Sequence, residues 1–240
     1  MAQGKVIEMR SWMVAALAAI WAFAGAAQAD RLVVVELFTS QGCSSCPPAD
    51  ALLGELSARD DVLPLALHVD YWDYIGWKDE FADPAHTVRQ KGYARAAGDR
   101  TIYTPQMIVG GTEHVIGYKP MKLATIIEKH GDQAAPVALT LTRTGDRLRI
   151  VANAEETLAG GYLFQLVSWR PKAEVSIGRG ENAGRTLTYH NVVSRLAEIG
   201  QWNGQGRHAI TVEIPDQGPH AILLQRSGPG PIVAAARVPE

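Results

Sequence analysis

The chain has 240 residues, a net charge of −2 and 47% hydrophobic residues, enough for one large domain or two small ones around a sizeable core. It has no basic field suited to nucleic acid and no acidic tract that would stay unfolded, so charge singles out no class of partner. There are only two cysteines, three positions apart, so no disulfide can staple distant parts of the chain.

Lys5 and Arg10 precede an apolar run from Trp12 to about Ala27, and Ala27-Gln28-Ala29 sets small residues where a signal peptidase cuts. Residues 1–29 are therefore expected to be a cleaved export signal. The run is shorter than the roughly 20 residues that cross a bilayer, so no membrane span is expected after cleavage and the mature protein is expected in the periplasm or outside the cell. Leu32 to Phe38 is a nearly continuous apolar run, as in a central strand buried on both faces. Thr39-Ser40-Gln41-Gly42 breaks it. After the cysteines, Ala49, Leu52, Leu53 and Leu56 fall at helical spacing, and Pro47 and Pro48 suit a first helical turn, where the missing N–H groups cost nothing.

Val62 to Val69 reads as a second strand, parallel to the first, with Pro64 near its start. The stretch from about 71 to 103 is a helical insertion rich in aromatic residues, with a helix from Asp83-Pro84 to about Ala97. Met107 to Val109, Gly110-Gly111 and Val115-Ile116 form a hairpin, followed by a helix from about Pro120 with Leu123, Ile126 and Ile127 inward. Beyond Asp132 the pattern alternates, with strands expected near 137–141, 148–150, 162–167, 209–214, 221–225 and 232–238; Leu187 to Trp202 fits a strand or a short helix. The expected architecture is an α/β domain over 30–133 with the insertion, then a β-rich, antiparallel, sandwich-like part over 134–240.

Cys43 and Cys46 stand at i and i+3 where a strand passes into a helix. Two thiols so placed can bond with little rearrangement, and the helix N-terminus would stabilise a thiolate on Cys43, leaving Cys46 to resolve a mixed disulfide. A brace over so short a loop removes little unfolded-state entropy. Structural zinc lacks a second ligand pair. Copper(I) held by the two thiolates and His68 or His86 is the rival ligand, and a non-catalytic interaction module is the rival from another class. Glu36, alone in an apolar strand, would be a buried carboxyl able to carry protons to Cys46, unless its side chain reaches the sheet edge and is solvated. Thr104-Pro105 is a place for a cis peptide and the rim of a substrate groove, with Trp72, Tyr103 and Thr104 as candidate lining residues. His68, Asp70 and Asp73 follow the second strand, and Arg179, Glu181, Asn182, Arg185, Tyr189 and His190 make a polar stretch that reads first as a hydrogen-bonded loop.

The order of elements from Val33 to His130 resembles the thioredoxin superfamily. More narrowly, Glu36 to Asp50 around Cys-Ser-Ser-Cys, Tyr71-Trp72-Asp73-Tyr74-Ile75-Gly76-Trp77, Tyr103-Thr104-Pro105-Gln106 and Gly178-Arg179-Gly180-Glu181-Asn182 look like the secreted domain-of-unknown-function 1223 family. The resemblance implies a thioredoxin-like domain with an appended β-rich part, Cys43 as nucleophile, Cys46 as resolving thiol and Pro105 as the cis proline. It implies a thiol or disulfide substrate, expected to be a protein, a separate redox partner and no organic cofactor. Ser44-Ser45 departs from the Gly-Pro of thioredoxin and the Pro-His of periplasmic thiol oxidases, which leaves the redox direction open.

Overall fold

Strand β1 (Val33–Thr39) is buried along its whole length because it has a neighbour on each edge and a packed layer on each face. The computed structural model describes residues 32–214 and 218–239, so the expected export signal lies outside the described residues. β2 (Val62–His68) runs parallel to β1, and β3 (Gln106–Val109) runs antiparallel on its other edge. Between the first two strands comes α1 (Pro47–Leu56), with both prolines in its first turn, where an N–H has no intrahelical partner.

Alternation along β1 divides the interior. Val33, Val35 and Leu37 pack with Ala49, Leu52, Leu53 and Leu56 of α1 and with Leu123, Ile126 and Ile127 of α3 (Pro120–Gly131). Val34 and Phe38 face the opposite way, toward Tyr93 of α2 (Pro84–Ala96) and Leu63, Leu65 and Leu67 of β2. The α2 helix starts where Asp83 accepts a hydrogen bond from the Ala85 N–H at 2.8 Å, with Pro84 in the first turn. β4 (Glu113–Ile116) completes the hairpin with β3, and among the described residues no helix is long and apolar enough to cross a membrane.

The remaining strands are β5 (Ala138–Thr144), β6 (Arg147–Asn153), β7 (Tyr162–Ser176), β8 (Thr186–Trp202), β9 (Arg207–Glu213), β10 (His220–Arg226) and β11 (Ile232–Arg237). Four of them continue the first sheet, giving eight strands in the order β11-β10-β7-β8-β2-β1-β3-β4; β5, β6 and β9 form a second sheet. That small sheet packs Leu139, Leu148 and Ile150 on Phe164, Ile222 and Leu224, a two-layer arrangement at one end of the molecule. The stretch 187–202, which fitted either a strand or a helix, lies wholly within β8.

The junction between the halves is narrow. β2 and β8 pair in parallel only at Ala66 and Val192, and there Asn191, with a positive φ of 47°, donates its side-chain amide to the Pro64 carbonyl at 2.9 Å. Pro64 has no N–H to offer a neighbouring strand, which accounts for so short a ladder. α1 lies on this junction, so close that a Cβ on Gly54 would come within 2.7 Å of the His190 ring.

Candidate active site

The residues between β1 and α1 curl into a tight turn, with the Cys43 N–H bonded to the Ser40 carbonyl and the Cys46 N–H to the Cys43 carbonyl. This brings the cysteine Cα atoms to 5.4 Å, and the two sulfurs are joined as a disulfide. Cys43 is only 2% exposed and Cys46 fully buried, although Ser44 and Ser45 between them are exposed. The helix N-terminus is less open than the sequence suggests. Pro47 and Pro48 carry no N–H, and those of Ala49 and Asp50 are bonded to the Cys46 carbonyl. The polar group beside Cys43 Sγ is instead the Ser45 hydroxyl, at 3.5 Å.

One helical turn beyond Cys46, Asp50 is buried under α1. Burial pushes its carboxyl up to about 7, against the lowering influence of the neighbouring His68 and of the Thr39 hydroxyl, which donates to Oδ1 at 2.8 Å. His68, at the end of β2, donates from Nδ1 to Asp79 Oδ2 at 2.7 Å, and the same oxygen accepts the Gln41 N–H at 2.8 Å. Burial raises Asp79, but the His68 imidazole and the N–H groups of Gln41 and Phe81 outweigh it and hold the carboxylate below its ordinary value. Tyr189 of β8 packs edge-on against the His68 ring at 4.8 Å. Gln41 Nε2, Asp50 Oδ2, His68 Nε2 and Tyr189 OH are buried and have no hydrogen-bond partner among the described residues. All four lie in or beside the cluster around His68 and Asp79.

Glu36, for which the sequence left a buried and a solvated position open, is buried, and its bonds lead away from Cys46. It lies on the α2 face of β1, where Arg89 Nε donates to Oε1 at 2.6 Å and the Tyr93 hydroxyl donates to Oε2 at 2.5 Å. Cys46 leads into the helix on the other face, so Glu36 anchors α2. Of the donors offered to copper(I), His68 holds Asp79 through Nδ1 and leaves Nε2 unpartnered among the described residues, while His86 binds the His68 carbonyl through Nδ1 at 2.9 Å. Among the described residues no three His, Cys, Asp or Glu side chains are grouped to hold a metal.

The Thr104–Pro105 peptide is cis. It precedes β3, and the pairing of Phe38 with Gln106 sets it at the same end of the sheet as the cysteine turn. Trp72 joins the two features: its indole N–H donates to Thr104 Oγ1 at 2.7 Å, and its Cβ lies against Gly42, where an added Cβ would sit 3.1 Å away. Tyr74, 80% exposed, stacks on Trp72. Tyr103 turns toward α2, its carbonyl accepting from Gln90 Nε2 at 2.7 Å, and its hydroxyl accepts from Gln106 at 3.2 Å. Asp70 and Asp73 serve the insertion, accepting from Thr87 and from the Asp79 N–H respectively.

The polar stretch after residue 178 lies on the cysteine turn. The connection between β7 and β8 sets Asn182 so that its side-chain amide donates to the carbonyls of Gln41 at 2.9 Å and Cys43 at 3.0 Å. Glu181 accepts from the Ser44 hydroxyl at 2.6 Å. Sequence reasoning missed Gln41, Asp50 and Asp79 and read Asn182 and Tyr189 as parts of a loop. The signal for Asp50 was available, an acidic residue at i+4 from Cys46 on the apolar stripe of α1.

Together these features define a mixed α/β protein with an i, i+3 disulfide at a helix start, a buried acid one turn beyond and a cis proline beside it. The chain belongs to the DUF1223 family of proteins of unknown function, which it matches over residues 34–225. It is similar to a crystal structure of a protein from Agrobacterium tumefaciens, at 32% sequence identity and a TM-score of 0.74, over 86% of this chain and 93% of that one. Comparison with curated proteins returns no match.

Proposed function

We propose that the protein is an exported thiol–disulfide oxidoreductase that works through Cys43 and Cys46 on protein thiols or disulfides. What carries this reading is a disulfide one helical turn from a buried carboxyl whose pKa stands at about 7. A bond that closes so short a loop contributes little as a brace, whereas a carboxyl that changes charge near neutrality suits proton transfer at an exchanging thiol. A thioredoxin-like first half is part of the proposal, supported by the order β1-α1-β2, an inserted α2, a cis proline, the β3–β4 hairpin and α3.

In the oxidising direction a substrate thiolate attacks Cys43 Sγ, the bond to Cys46 breaks, and its electron pair stays on Cys46 Sγ. Asp50, in its acid form, gives Cys46 a proton. The substrate's second thiolate then attacks the substrate sulfur of the mixed disulfide and releases Cys43 as a thiolate; the two protons that the substrate thiols gave up to solvent return from it, one to Asp50 and one to Cys43. Reduction of a substrate disulfide runs the same steps backward, and a separate redox partner restores the pair. No organic cofactor takes part.

The test is the equilibrium of the mature protein in glutathione buffers, with free thiols trapped by a mass tag. A potential near about −120 mV marks a thiol oxidant and one near about −270 mV a reductant. A pair that stays oxidised until below about −300 mV is structural, and the proposal fails.

A further inference from the structure

The segment between β7 and β8 forms a compact unit with its own bonds: Gly184 N–H to the Ile177 carbonyl, Ile177 N–H to that of Arg185, Ala183 N–H to that of Gly180. Gly180 and Gly184 both turn at a φ of +78°, which only glycine adopts without strain. Asn182, 1% exposed, projects from this unit onto the cysteine turn, and its amide oxygen is fixed by Arg185 at 2.8 Å. Both hydrogens of that amide are used on the active turn, one to each of two backbone carbonyls.

We propose, on the basis of the oxidoreductase reading, that Asn182 decides which thiols reach Cys43. It occupies the carbonyls of Gln41 and Cys43 with the donors that an extended peptide backbone would otherwise present, and with the Glu181–Ser44 bond it holds the 177–185 tip on the cysteine turn. A thiolate must approach Cys43 Sγ along the S–S axis, and at 2% exposure that approach is closed. A substrate cysteine in an extended polypeptide brings backbone N–H groups that take over both carbonyls as Asn182 leaves, so displacement loses no hydrogen bond. A small thiol brings no such donors and waits for the tip to leave unaided. Asn182 is therefore a specificity-determining residue that favours peptide thiols over small ones.

The test measures the rate of disulfide reduction by dithiothreitol and by a dicysteine peptide of about ten residues, in wild type, Asn182→Ala and Asn182→Asp. In each reaction the attacking thiolate bonds Cys43, Cys46 leaves with the electron pair and is protonated, and the reagent's second thiolate closes its own disulfide and frees Cys43. Removing two buried hydrogen bonds should raise the dithiothreitol rate about tenfold or more, and the peptide rate by less than threefold. Asn182→Asp keeps the size and the acceptor for Arg185 but turns a carboxylate toward two carbonyls, so it should act the same way if the alanine variant folds poorly. Equal acceleration for both reagents, or a dithiothreitol rate within twofold of wild type in both variants, overturns the proposal. The glutathione equilibrium of the wild type is read separately: an exchangeable pair with unchanged variant rates removes the role of Asn182 and leaves the oxidoreductase reading standing, and a pair that does not exchange removes that reading and the role of Asn182 with it.

Discussion

Replacing Asp50 with asparagine should make the protein more stable at neutral pH and leave it little changed in acid. The wild-type carboxyl is pushed by burial from 3.8 to about 7, so its folded-state pKa lies above the unfolded one. Its contribution to stability is then complete below about pH 4 and is lost progressively up to about pH 7, as the unfolded chain releases a proton that the native state retains. About three pH units at about 1.4 kcal/mol each amount to about 4 kcal/mol. The asparagine side chain would keep an oxygen for the Thr39 hydroxyl and would not ionise. Urea unfolding of both proteins with the disulfide intact, at intervals from pH 4 to pH 8, should show a gap that opens by about 4 kcal/mol in favour of the variant. A gap that stays constant across that range would refute the assignment of Asp50 as the group titrating near neutrality. The stabilised variant should also exchange thiols about a hundredfold more slowly, having lost the proton donor for Cys46.

Glu36→Ala leaves the Arg89 guanidinium buried without its carboxylate and should lower unfolding stability by about 3–5 kcal/mol, while the glutathione equilibrium of the cysteines stays within twofold; a larger shift in that equilibrium would tie Glu36 to the cysteines after all. Trp72→Phe removes the bond to Thr104 but keeps the packing against Gly42, so peptide thiols should react about fivefold more slowly, a loss of about 1 kcal/mol, with thermal stability changed by no more than a few degrees. Gly111→Ala asks a residue at φ +74° to drive a Cβ into the Gly230 carbonyl; proteolysis should show a destabilised variant, with early cuts in both the β3–β4 and the β10–β11 turns.

Much of the first half was legible because its elements obey local rules. The apolar run at 32–38, the prolines at 47 and 48, the Asp83-Pro84 start and the Gly110-Gly111 turn each fix an element without help from elsewhere. The strands of the second half were also readable by alternation, but not the sheet each would join, since pairing across more than a hundred residues leaves no local trace. The cysteine pair stood out by its spacing. Glu36 drew notice because a charge in an apolar run is conspicuous, yet its counterpart Arg89 lies 53 positions away and its direction depends on which face of β1 each helix covers. Asp50 escaped notice for the opposite reason: near the start of a helix an acidic residue looks ordinary, and only the packing of β2 and β8 against α1 makes it buried.

The narrow junction at Ala66 and Val192 bears on how such a protein could be divided. The cluster beneath α1 draws Thr39 from β1, His68 from β2 and Tyr189 from β8, and Asn182 reaches the cysteine turn from the far side of the same junction. A fragment ending near residue 133 would keep both cysteines, yet it would bare the Leu63, Leu65 and Leu67 face that Val167, Val193 and Leu223 cover. Its outer strand would lack a partner, an invitation to pair with other chains. The cysteine turn is thus not a portable cassette: the later strands supply part of its floor and its cover, and grafting it onto another scaffold means carrying the β7–β8 hairpin along.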